Sequence, residues 1–210
     1  MNTKKESLAS LLTMTVVCVA AYAPPAQAGG AAEVMAGDER ATIDIKAIGD
    51  LGRGAGFFAR NRTGIDYHDQ VSPFTLVDLT YSLGEGFDAV SEAQMAPGMG
   101  IVPRAGVQYF HSFRDGNVYA LTTASILERP NLELIAKVRY TPLLIGDWRG
   151  VAQLEMVTDI GRDGHEFSTQ RGRLGISVNG YDFGVALDVI EVGHDSTPTY
   201  NAGGFVAKQF

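Results

Sequence analysis

The residues best suited to chemistry are charges that recur at every second position. Acids Asp44, Asp78, Asp88, Glu92, Glu133, Glu155, Asp159 and Asp188 each sit in a segment where apolar residues take the alternate places. So do the bases Lys46, Arg104, Lys137, Arg139, Arg171 and Arg173. On strands, this spacing puts all of them on one face and the apolar residues on the other. Enclosed together, such charges must pair, because an unpaired buried charge is costly. The outcome is either a rigid hydrogen-bonded plug or a narrow passage lined by opposite charges.

A second constellation is His194-Asp195-Ser196. A histidine next to a serine can take its proton, provided an acid orients the imidazole. No Asp or Glu follows Asp195, so a polar loop explains these residues at least as well. His68, His111 and His165 are scattered and match no metal-ligand spacing. Cys18 is the lone cysteine, which removes disulfides and thiol chemistry from the chain beyond it. No residue pattern calls for a cofactor. The stretch 49–73 reads as a long loop that carries Phe57, Phe58, Arg60, Arg62, Tyr67 and His68. Aromatic and arginine side chains together suit binding, and a loop folded back to cap a lumen suits them equally.

The elements that must position these residues are strands. Leu132 to Tyr140 is the clearest, with Leu132, Leu134, Ala136, Val138 and Tyr140 opposing Glu133, Lys137 and Arg139. A helix would scatter those charges around its circumference. The same rhythm predicts about ten strands, with eight as the alternative count, near 41–48, 74–83, 87–96, 103–113, 118–127, 132–141, 149–160, 166–178, 182–192 and 201–210. The inward face of 118–127 stays ambiguous. Gly84-Glu85-Gly86, Arg114-Asp115-Gly116-Asn117 and Asn179-Gly180 read as tight turns, the last as a type I′ hairpin. With both termini on one side of a membrane, these turns share that side and the long loop faces the other.

Lys4 and Lys5, an apolar run and Ala26-Gln27-Ala28 read as a cleavable export leader over 1–28. A flexible segment is expected at 29–40 and one β-barrel domain at 41–210. The net charge of −7 argues against nucleic acid as a partner. Alternation alone leaves open which face is inside. A soluble periplasmic ligand-binding barrel would bury the apolar face, whereas a membrane barrel turns it to lipid.

The terminal Phe210, the aromatics Tyr81, Tyr109, Tyr140, Trp148 and Phe183 near strand ends, and the leader together resemble bacterial outer-membrane β-barrel proteins. That resemblance implies an all-β, antiparallel up-and-down barrel in the outer membrane, with lipid and the assembly machinery, through Phe210, as partners. It implies a structural role or passage of a small solute. The His194-x-Ser196 pair is similar to that of the outer-membrane lipid A deacylases, which would imply a lipid hydrolase. Lys208 shares its parity with Phe210 while Phe205 does not, so the register of the last strand stays open.

Overall fold

A computed structural model describes residues 28–210, apart from 69, 128–129 and 194–196. The expected leader lies outside the described residues except for Ala28, as do His194 and Ser196. The chain forms β1 (Ala28–Gly37), β2 (Arg40–Gly52), β3 (Ala55–Asp66), β4 (Val71–Gly84), β5 (Phe87–Ala96), β6 (Gly100–Phe113) and β7 (Gly116–Ser125). It continues through β8 (Leu132–Tyr140), β9 (Leu143–Ile145), β10 (Trp148–Gly161), β11 (Gly164–Val178), β12 (Tyr181–Val192) and β13 (Thr199–Gln209).

Each strand pairs antiparallel with its neighbours in sequence, except that β8 passes over β9 to pair with β10, and β1 closes on β13 with Val34 opposite Val206. Among the described residues, twelve strands make the closed barrel, while β9 pairs with β10 alone and prolongs that hairpin. Closure pairs both edges of each of the twelve barrel strands, and β9 keeps one free edge.

The count corrects the expected ten. The segment expected to be flexible, 29–40, is mostly β1. The expected long loop, 49–73, holds a tight turn and the whole of β3. Positive φ at Gly52, Arg53 and Gly54 (84°, 55° and 79°) makes that turn. β1 escaped detection because Ala and Gly dominate it, so little hydrophobic contrast exists between its faces. β3 escaped because Asn61 and Thr63 point outward, where apolar residues were sought. They are satisfied there: Asn61 Nδ2 donates to Thr75 Oγ1 at 2.8 Å and Thr63 Oγ1 to Asn61 Oδ1 at 3.2 Å.

Adding one strand before the first expected one and one after it reverses that strand's direction and leaves the other nine unchanged. The tight turns at 85–86, 114–115 and 179–180 therefore do share the end that carries both termini. We call it the terminal end and its opposite the distal end. Asn179 and Gly180 have φ of 53° and 76°, as a type I′ turn requires.

The barrel is apolar outside and polar inside. Leu79, Leu174 and Val185 are 57–63% exposed on the outer face, while Asp78 and Arg104 are 1–2% exposed within. Burying a core would demand the reverse, so the outer face suits hydrocarbon. The twelve barrel strands, of 9 to 15 residues, meet the roughly 9–11 needed to cross a bilayer obliquely. Tyr81, Tyr109, Tyr140, Trp148 and Phe183 all lie at the terminal end, where the Phe87 and Tyr109 rings approach to 4.8 Å. In β13, Phe205 points inward and is buried, whereas Val206 and Lys208 point outward, as does Phe210 just beyond the strand. Lys208 accommodates this by placing Nζ 3.9 Å from the centre of the Tyr181 ring and donating to Asn179 O.

Candidate functional site: a charged lumen below a distal vestibule

Period two decides what the lumen contains. From β2 inward point Asp44 and Lys46, from β3 Arg60 and Arg62, from β10 Glu155, and from β11 Arg171 and Arg173. These side chains interlock as a belt. Arg60 donates Nε and Nη2 to the two Asp44 oxygens at 2.9 and 2.5 Å, and Nη2 also to Glu155 Oε1 at 3.0 Å. Arg171 Nη1 meets the same Glu155 oxygen. Asp188 on β12 accepts from Arg62 Nη2 and Arg173 Nη1, both at 2.7 Å. Lys46 Nζ lies 3.3 Å from Asp44.

The opposite wall is acidic. Asp78 on β4 stands across the ladder from Glu92 on β5. Glu133 on β8 and Asp159 on β10 continue the patch toward the distal end. Gln94 Nε2 ties it together, donating to Glu92 at 2.8 Å and to both Glu133 oxygens at 3.0 Å. Arg104 on β6 is the cation among them, 3.4 Å from Glu92 and 3.5 Å from Asp159. Its Nε donates to Thr123 Oγ1 and its Nη1 to Asn131 Oδ1. β7 turns Tyr119, Leu121, Thr123 and Ser125 inward, which settles the face left ambiguous above.

Beside the belt, Met35, Val151, Ala186 and Phe205 form a small apolar cluster against β1, β10, β12 and β13, with Arg173 5.9 Å from the Phe205 ring centre. Arg139 pairs with Asp182 at 2.8 Å and Asp88 accepts from Gln108 at 2.8 Å. Lys137 also faces inward, beside the belt.

Toward the distal end lies a cavity of about 570 Å³. Its basic side is Arg60, Arg62 and Arg171, with Arg40 at the rim. Its acidic side is Glu133 and Asp159, with Glu166 at the rim, and Phe74, Leu76, Ile135, Val157, Phe167 and Ile190 supply apolar surface between. The described residues contain no cluster of His, Cys, Asp or Glu able to hold a metal ion.

The structure therefore brings the predicted charges to one lumen, but corrects the binding loop. Phe57 lies on the outer face over Gly49, where a β-carbon on the glycine would collide with the ring. Phe58, Arg60 and Arg62 face the lumen. Tyr67 and His68 sit in the distal turn, where Tyr67 Oη donates to Gly37 O at 2.7 Å. Sequence reasoning missed Glu33, which accepts from Arg173 Nε and Nη2 at 3.0 and 2.8 Å. Its signal was its shared parity with Met35 in a segment read as flexible. Asp182 was missed as well, although it alternates with Phe183 at the start of β12.

No protein-family pattern and no curated protein matches this sequence. Solved structures do share the fold. Against a KdgM porin in complex with disordered oligogalacturonate the TM-score is 0.50, with 12% identity over 87% of this chain and 99% of that one. Another KdgM porin structure gives 0.49 and 16% over the same shares. LpxR from Salmonella typhimurium gives 0.48 and 8% over 86% and 99%. The likeness is one of fold, and the fold is that of bacterial outer-membrane β-barrel proteins.

Proposed function

We propose that this chain is an outer-membrane barrel that passes small polar solutes through a narrow lumen closed at rest by ion pairs. The termini and tight turns face the periplasm and the vestibule opens outside the cell. The observation that carries this reading is the nature of the closure. Beneath the vestibule, among the described residues, Asp44, Arg60, Glu155 and Arg171 span the lumen as ion pairs, and the apolar cluster of Met35, Val151, Ala186 and Phe205 lies to one side of them. Salt-bridged side chains can exchange partners with water or a charged solute, whereas an apolar core cannot. Twelve strands lie between the roughly eight that side chains alone fill and the roughly 16 of an open aqueous channel.

An acidic oligosaccharide, of the kind with which the KdgM porin was solved, fits this lumen poorly. It would meet Arg62 and Arg171 on one wall but Glu133 and Asp159 on the other.

Planar-bilayer recording tests the proposal. Wild type should give small, infrequent openings. Glu155→Gln leaves Arg60 and Arg171 sharing a neutral amide, so they repel. Conductance should rise and selectivity shift toward anions. A barrel that stays silent in both forms is a structural element and not a passage.

A further inference from the structure

We infer that the distal vestibule is a binding site for a small zwitterion with an apolar body, its anionic group held by Arg62 and Arg171 and its cationic group by Glu133 and Asp159. The inference rests on the function proposed above and names the solute class for that lumen.

The charge on each wall decides the class. On the basic wall, Lys46, Arg60, Arg62, Arg171 and Arg173, with Lys137 across the ladder from Glu155, outnumber their acids Glu33, Asp44, Glu155 and Asp188. The surplus is visible in single atoms. Arg62 Nη1 and Arg171 Nε are buried and have no hydrogen-bond partner, and both residues line the cavity. Arg62 Nη1 lies 4.0 Å from Asp44 Oδ2, beyond hydrogen-bonding reach. Two guanidiniums with free N–H groups match a carboxylate or similar oxyanion.

The acidic wall has the opposite surplus. Asp78, Glu92, Glu133 and Asp159 have Arg104 as their cation. Gln94 and Asn131 satisfy Glu133 and Asp159 with neutral amide hydrogens, which supply geometry but no charge. Behind Glu133, Asp78 and Glu92 face each other across the ladder, and both Asp78 oxygens and Glu92 Oε2 are buried without a donor, so that side is short of positive partners. A pure anion would be drawn to one wall and repelled by the other, and a pure cation the reverse. A solute carrying both charges satisfies both walls. Phe74, Leu76, Ile135 and Phe167 between them offer an apolar surface, and about 570 Å³ falls within the roughly 300–1,000 Å³ of small-molecule sites.

Three probes isolate the charges: phenylalanine, phenylpropanoate, which lacks the amine, and phenethylamine, which lacks the carboxylate. Calorimetric titration of the detergent-purified barrel should show phenylalanine binding about tenfold tighter than either. Arg62→Gln should lower phenylalanine to the affinity of phenethylamine, and Glu133→Gln to that of phenylpropanoate. Variants are compared only if they keep the folded, heat-modifiable form, and the three probes on wild type decide the matter without them. Equal affinity for phenylalanine and phenylpropanoate would remove the acidic wall from the site, and equal affinity for phenylalanine and phenethylamine would remove the basic one. Either result overturns the zwitterion. So does an absence of binding by all three, even if the barrel conducts. Binding without any conductance or liposome swelling would keep the site and overturn the passage.

Discussion

Two buried polar residues carry more of the fold than their number suggests. Arg104 is the cation on the acidic wall, with its side chain 1% exposed. Arg104→Met would leave Glu92 and Asp159 without their charge partner in a low-dielectric interior. Stability should fall by about 3–5 kcal/mol, read as a lower urea midpoint for unfolding in detergent. Asn201 holds the seam where β13 meets β1. Its Oδ1 accepts from Glu39 N and Arg40 N, both at 3.1 Å, and its Nδ2 donates to Arg40 O at 3.3 Å. The absence of a side chain at Gly37 makes the space for that amide. Asn201→Leu strands the two backbone donors and should cost about 1–3 kcal/mol, seen as a lower temperature at which the folded band is lost on SDS gels. No sequence signal marked Asn201, because its role comes from a contact across 161 to 162 residues.

The elements were legible wherever apolar and charged residues alternate. All ten expected strands exist, and Leu132 to Tyr140 has the expected faces. The two that escaped, β1 and β3, lack that contrast for different reasons: small residues in one, outward Asn and Thr in the other. Their loss turned Arg60 and Arg62, which complete the belt with Asp44 and Asp188, into supposed loop residues. The charged lumen was thus half visible: its parity could be read locally, but its pairs, such as Arg173 with Glu33, required the closed ring. The short β9 belongs to a different category. It pairs with β10 alone and carries exposed Leu143, Leu144 and Ile145 beyond the aromatic ring at the terminal end. Replacing 142–147 by an Asn-Gly turn should leave the folded, heat-modifiable band unchanged. A failure to form that band would show that the hairpin extension helps the ring to close.

For the whole molecule, the direction in which the faces point decides the surroundings it needs. An apolar exterior such as Leu79, Leu174 and Val185 with an interior of ion pairs is stable only where lipid replaces water outside. The fold supports this placement, and the aromatics at the terminal end match an interfacial girdle. The most direct test is to fractionate expressing cells and ask where the mature chain resides and whether its mobility in SDS shifts on heating. It should be in the outer membrane, soluble only with detergent, and run faster unheated than boiled. A chain recovered from the periplasm without detergent, with no shift on boiling, would contradict that placement, since the exposed apolar faces could not then be meeting lipid.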